Sequence, residues 1–299
     1  MATSSSGVSE LYTSVVSDLV PYYMDAVLLP NQQIILNSMS IEGSSGNNVR
    51  WPLTNAYVNA GTVANEGDSI SAAATSDFDP TEANVTVAKR GVATDVNEEA
   101  LEDGGIELVR RAVLDRLAGG LAQATDEAGL AVAKSGATLT DTGEGGANSD
   151  FTTNFVMSPE ALGYASKREP MVKVWYNPDT DVHEFRGTVR NGFAALRGNF
   201  INPITCHATI GTGAANLVAV AKAVAQLRGQ NAPTDFGSGM YISIIDPSFE
   251  YEINEQVSLA GGSAIGSLSE VGNRALMQGL IGQAAGVMFF RSNNLPDAA

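Results

Sequence analysis

The stretch from Ile106 to Lys134 constrains the fold more than any other part of the chain. Ile106, Val109, Val113, Leu117, Leu121, Ala124 and Ala128 recur at three- and four-residue steps, which is one apolar stripe of an amphipathic helix. The helix is expected over about 105–134, and at roughly 1.5 Å per residue it is ~45 Å long. A rod of that length spans a chain of 299 residues, so the other elements must be laid along it. Gly119 and Gly120 inside it cost about 1 kcal/mol each relative to Ala, which predicts close packing or a bend there. The acidic run Glu98-Glu99-Ala100-Leu101-Glu102-Asp103 precedes the helix and Lys134 closes it, the charge order that a helix dipole favours.

Upstream, Leu11, Val15, Val16 and Leu19 have helical spacing within Ser9 to Val20, before Pro21 and Pro30 break the pattern. Residues 1–40 carry apolar stripes without enough chain around them for a core. They read as an arm lying on a neighbouring surface. Asn48 to Asn59, with Trp51 and Tyr57, reads as a strand, and Asn84 to Val96 as its return, interrupted at Gly91. Between them runs a long stretch of small and acidic residues with Glu66, Asp68, Asp77, Asp79 and Glu82. A connection of that length is usually functional or mobile, so it is either an extended working element or a plain surface loop.

Downstream, Ser135 to Asp150 is rich in Gly, Thr and Asp and reads as a loop. Phe155 to Glu160 is a strand ending in Ser158-Pro159, and Tyr241 to Pro247 is a strand ending in Asp246-Pro247. In both, a capping side chain before Pro predicts a helix start. Val172 to Tyr176 and His183 to Leu196 are strand-like and flank the turn Asn177 to Asp181. A helix from Ala214 to Arg228 is expected to stop at Gly229, and Val287 to Arg291 is a final strand before the turn Ser292 to Pro296. Strands and helices alternate irregularly, so the class is mixed α+β.

Chemistry is scarce in this chain. Cys206 is the only cysteine, which excludes an internal disulfide and a cysteine zinc site. Cys206 and His207 are adjacent, and neighbours on a strand point to opposite faces, a poor arrangement for a nucleophile and its base. His183-Glu184 lacks a third ligand at metal spacing, and the runs Gly143 to Gly146 and Gly211 to Gly213 match neither phosphate-binding fingerprint. No catalytic residue, metal ligand or cofactor site is assigned.

With 17 basic and 33 acidic residues the net charge is −16, which argues against strong direct binding of nucleic acid. Only 17% of residues are charged, against a usual value of about 25%, and 31 are Gly. A surface so poor in charge is often covered by something else. Arg110, Arg111 and Arg116 on the long helix are the densest basic group. They read either as a solvated helix face pairing with nearby acids or as a charge-complementary contact to another copy. No targeting segment or window of eighteen apolar residues is present, so the sequence reads as a soluble protein made in the cytoplasm, without a membrane partner.

The order of elements resembles the major capsid proteins of tailed double-stranded DNA bacteriophages, the Hong Kong 97-type fold. The resemblance rests on the arm, the acidic β-excursion, the Asn97 to Asp103 lead-in and the long Ala-rich helix. Asn231-Ala232-Pro233 through Pro247 and Gly282 through Pro296 are also similar, as are Pro159 to Tyr164 and Phe185 to Gly192. It implies an N-terminal arm at 1–40 and an E-loop, an extended β-hairpin, at 41–84. It further implies a peripheral domain built mainly from 85–200 around the spine helix, and an axial domain mainly from 201–299 with its final strand at 287–291. In relatives the Ser-Asn-Asn-Leu-Pro segment precedes the closing peripheral strands. Here it ends the chain, which leaves a permuted element order open.

The function implied is structural. Copies would form pentamers and hexamers of an icosahedral virion shell, assembled in the host bacterial cytoplasm and enclosing DNA without sequence-specific binding. The partners implied are other copies of the chain, a separate scaffolding protein, a portal and a decoration protein. Arg50, Trp51, Glu66, Asp68, Asp77, Asp79, Arg110, Arg111 and Arg116 are the candidate assembly-interface residues. An encapsulin-type nanocompartment shell and, more distantly, a small α/β enzyme are the alternatives.

Overall fold

The computed structural model describes residues 15, 18–21, 23, 35, 37–43, 46–53, 81–104, 106–144, 150–209, 217–235, 237–260 and 283–297. The strands are β1 (Asn37–Ser40), β2 (Asn48–Leu53), β3 (Thr81–Thr86), β4 (Ala88–Asn97), β5 (Phe151–Met157), β6 (Leu162–Asn177), β7 (Val182–Ala195), β8 (Ile201–His207), β9 (Tyr241–Ile245), β10 (Gln283–Ala284) and β11 (Val287–Arg291). The helices are α1 (Glu98–Gly104), α2 (Ile106–Gly136), α3 (Leu217–Gly229) and α4 (Pro247–Ala260). Residues 54–80, which include Glu66, Asp68, Asp77 and Asp79, lie outside the described residues.

The predicted stripe makes α2 the shared wall of two cores. Val109, Val113, Leu114, Leu117, Ala118, Leu121 and Ala122 pack against Val96 of β4, Val172 of β6 and Phe185 and Val189 of β7. About two to three turns further on, Leu130 and Ala133 join a second core with β5, β8, β9, α3 and α4. Gly120 explains the glycine within the stripe. A Cβ there would lie 2.9 Å from Val92 Cγ2, whereas one on Gly119 would meet open space.

Two sheets lie along this helix. One is four-stranded in the order β1-β6-β7-β4, with β1 parallel to β6 and the other pairs antiparallel. The other is five-stranded in the order β10-β11-β9-β5-β8. In chain order the β6–β7 hairpin of the first sheet is inserted between β5 and β8, which pair with each other in the second. The segment after β11 turns back, where Thr153 N–H donates to Pro296 C=O at 3.0 Å.

The β2–β3 pair forms a separate two-stranded ribbon. It is rooted on the four-stranded sheet through a small core of Val49, Val85, Val87 and Ala165, with Trp51, Ile41 and Ala194 packed against it.

Four local expectations change. The run Asn84 to Val96 is not one strand: it leaves the ribbon after Thr86 and enters the four-stranded sheet at Ala88. Val87 is buried at the junction and its N–H donates to Asn47 C=O. Gly91 does not interrupt the second part, since it pairs with Thr188 inside β4.

Ser158-Pro159 starts no helix. Ala161 N–H donates to Ser158 C=O at 3.0 Å to close a turn, and Leu162 immediately pairs with Ala195. Asp246-Pro247 does start one: Phe249 N–H donates to Asp246 Oδ1 at 3.0 Å, and Pro247 sits at the first helical position. Gly229 is the last residue of α3, but the left-handed residue of the following turn is Asn231, at φ 54°.

The fourth change concerns the arm. Val15, Leu19 and Tyr23 are helical and buried in the core of their own chain, beside Val109, Val113 and Leu117. β1 likewise adds to its own chain's sheet. Val15, Leu19 and Tyr23 therefore cover the chain's own long helix, while Leu11 and Val16 lie outside the described residues.

Candidate assembly interface

The residues that could have carried chemistry are held in structural roles. Cys206 is buried in the larger core, and burial pushes its thiol well above the usual range. His207, on the other side of β8, lies against Phe151 with ring centroids 4.9 Å apart. His183 Nε2 is 2.6 Å from Glu98 Oε2, which fastens the start of α1 to the β6–β7 hairpin. Among the described residues no group of three or more His, Cys, Asp or Glu is placed to hold a metal, and no helix is long and apolar enough to cross a membrane.

A buried polar junction joins the N-terminal segment to the sheet. Asn191 Nδ2 donates to Thr125 Oγ1 at 3.1 Å, and Tyr23 Oη is 3.1 Å from the same Thr125 oxygen. Arg90 Nη1 donates to both the backbone and side-chain oxygens of Asn191. Burial raises the Tyr23 phenol and lowers the Arg90 guanidinium from their ordinary values.

The candidate interface residues fall on two elements. Arg50 and Trp51 are on β2: Arg50 is exposed and 3.4 Å from Glu82 of the partner strand, and Trp51 is half-buried against the ribbon root. Arg110 of α2 pairs with Asp18 of the N-terminal segment and, at 2.8 Å, with Glu107. Arg111 and Arg116 are exposed on the same helix.

Strand register assembles a denser basic group, one that the sequence does not display. On the face of the four-stranded sheet away from α2, Lys89 of β4, Arg190 of β7 and Arg168 of β6 stand in one cross-strand row. Ala93, Arg186 and Lys173 form a second row, with Gly91, Thr188 and Met171 between. Asp95, Glu184 and Trp175 finish the face. The opposite face is fixed by Phe185 and Val189, which are buried on α2. Arg168 Nη2 donates to Thr188 Oγ1 at 2.9 Å, and Arg190 Nη2 to Asn47 Oδ1 at 2.8 Å. Arg186 stacks 4.2 Å from the Trp175 ring and pairs with Glu184 at 2.8 Å. The alternation Arg186, Thr188, Arg190 was the available signal, but the partners on β4 and β6 lie between 13 residues (Lys173 to Arg186) and 101 residues (Lys89 to Arg190) away in sequence.

No protein-family model matches the sequence, and no curated protein matches it. Solved structures do. The capsid of bacteriophage JBD30 decorated with minor capsid protein trimers matches with a TM-score of 0.54 and 12% identity, over 89% of this chain and 91% of that one. The bacteriophage JBD30 capsid structure matches with a TM-score of 0.50 and 12% identity, over 89% of this chain and 90% of that one. The chain has the fold of phage major capsid proteins, the Hong Kong 97-type fold expected from its element order.

Proposed function

We propose that this chain is the structural subunit of a phage head, with copies assembling into pentamers and hexamers of an icosahedral shell around double-stranded DNA. The observation that carries the reading is the likeness to the JBD30 capsid chain over nearly the full length of both proteins. Its support within the molecule is the β2–β3 ribbon. Among the described residues its packing on its own chain is at the root, and a two-stranded ribbon is marginal alone, so its outer part gains most by lying over an adjacent subunit. The arrangement spreads stability over several modest contacts that close on themselves.

On this reading 41–84 acts as the E-loop, the four-stranded sheet with α2 as the peripheral part and the five-stranded sheet as the axial part. A separate scaffolding protein and a portal are partners during assembly in the host cytoplasm. The minor capsid protein trimers on the JBD30 shell support a decoration protein as a further partner. Arg50, Trp51, the acids at 66, 68, 77 and 79, and Arg110, Arg111 and Arg116 are the interface residues, Arg110 through the part of its guanidinium that Asp18 and Glu107 leave exposed.

Co-expression with the scaffolding protein, followed by sedimentation and nuclease digestion, tests the reading. Sedimenting particles that protect DNA, in a host supplying the packaging machinery, are expected. Particles that hold a protein cargo and never DNA would favour the nanocompartment alternative.

A further inference from the structure

The outer face of the four-stranded sheet carries five cations at its paired positions, Lys89, Arg168, Lys173, Arg186 and Arg190, against two carboxylates, Asp95 and Glu184. This is the reverse of a chain with 17 basic and 33 acidic residues. The cations also stand opposite one another: Arg190 faces both Lys89 and Arg168, and Lys173 faces Arg186. Like charges in directly opposed positions are unfavourable in an isolated sheet. Among the described residues only Arg186 of the five meets a carboxylate. Arg168 Nε and Arg190 Nε are buried without a hydrogen-bond partner. With Arg168 and Arg190 paired across the strands and Lys89 and Lys173 exposed on the same face, this surface is a receptor for acidic groups.

The same chain contains the complement. Between Arg50 and Lys89 there is no basic residue, and Glu66, Asp68, Asp77, Asp79 and Glu82 all fall in that interval. We propose that the acidic segment 61–82 of a second copy docks on this basic face, with its carboxylates between Lys89, Arg168, Lys173 and Arg190. The proposal rests on the reading of 41–84 as an E-loop and adds its landing site and chemistry. That reading makes the donor another copy, and the ribbon root is compatible with it. Arg190 and Lys167 bind Asn47 and Gly46 of their own chain, so the root sits at the edge of the face. The segment leaves from Leu53 and Thr81 at the far end of the ribbon, six residues or about 20 Å away.

A fluorescent peptide of residues 61–82, titrated with the unassembled full-length chain at low salt, tests the docking without requiring shells. Binding is expected, with the affinity falling at least about tenfold in Arg168→Glu/Arg190→Glu and again at physiological salt. Replacing the peptide's acids by Asn and Gln should abolish it. Lys89→Gln/Lys173→Gln, at two exposed positions, keeps the test valid if the double arginine variant does not fold. Equal affinity in the variants, or no binding by the native chain, overturns the proposal. So does binding of short duplex DNA to these residues in place of the peptide.

In shells grown from mixed heavy- and light-isotope subunits, carbodiimide should join Lys89 or Lys173 to acids of 61–82 in heavy–light pairs. Pairs of a single isotope only would place the segment on its own chain and overturn the proposal. Failure to form shells at all would count against the capsid reading, leaving the peptide result to decide the docking face.

Discussion

Gly120 on the long helix and Val92 on β4 approach so closely that a Cβ on the glycine would sit 2.9 Å from Val92 Cγ2. Its neighbour Gly119 faces open space. The pair separates helix propensity from packing. Gly119→Ala is expected to stabilise the subunit by up to about 1 kcal/mol. Gly120→Ala gains the same propensity but must push Val92 aside, and is expected to destabilise by about 1–3 kcal/mol. Denaturant midpoints of the two variants check this.

Leu19 is buried against α2 of its own chain, so Leu19→Ala should cost the unassembled subunit about 2–5 kcal/mol. Urea unfolding of the subunit measures it. Unchanged subunit stability with weakened shells would instead place this segment on a neighbour.

The buried Tyr23 phenol ionises above its ordinary value of 10.0, and the buried Cys206 thiol above 9.0. Both groups are therefore neutral in the folded chain at pH values where the unfolded chain has begun to lose the protons. Their contribution to stability is whole below pH 9.0 and declines as pH rises through and beyond 10.0. Tyr23→Phe should flatten the upper part of that decline. At neutral pH it should cost about 0.5–1.5 kcal/mol for the lost bond to Thr125. Unfolding free energies across an alkaline pH series test both statements.

Deleting Gly61 to Thr81 removes the acidic segment but leaves the ribbon root of Val49, Val85 and Val87. The expected product is a folded, soluble subunit that forms no stable shells, as read by circular dichroism and sedimentation. Normal shells from the deletion would exclude an assembly role for the segment.

Much of this architecture was legible because it is periodic or local. The α2 stripe repeats with the period of a helix, and Asp246-Pro247 combines a cap with a residue suited to the first turn. Ser158-Pro159 has the same local form, yet Leu162 is claimed by pairing with Ala195 before a helix can form. The split at Val87 is marked only by a one-residue shift in phase, from Val85 and Val87 to Val92 and Val96, which is easily missed in two adjoining strands of the same period. The place of Val15, Leu19 and Tyr23 depends on which side of α2 the sheet leaves open. The basic face required the register of three strands, which no short window of sequence contains.

Electron microscopy of the purified chain, co-expressed with a candidate scaffolding protein, is the decisive measurement for the capsid reading. Closed icosahedral shells built from rings of five and six subunits are expected. A chain that stays a monodisperse monomer with the scaffolding protein present would contradict the reading.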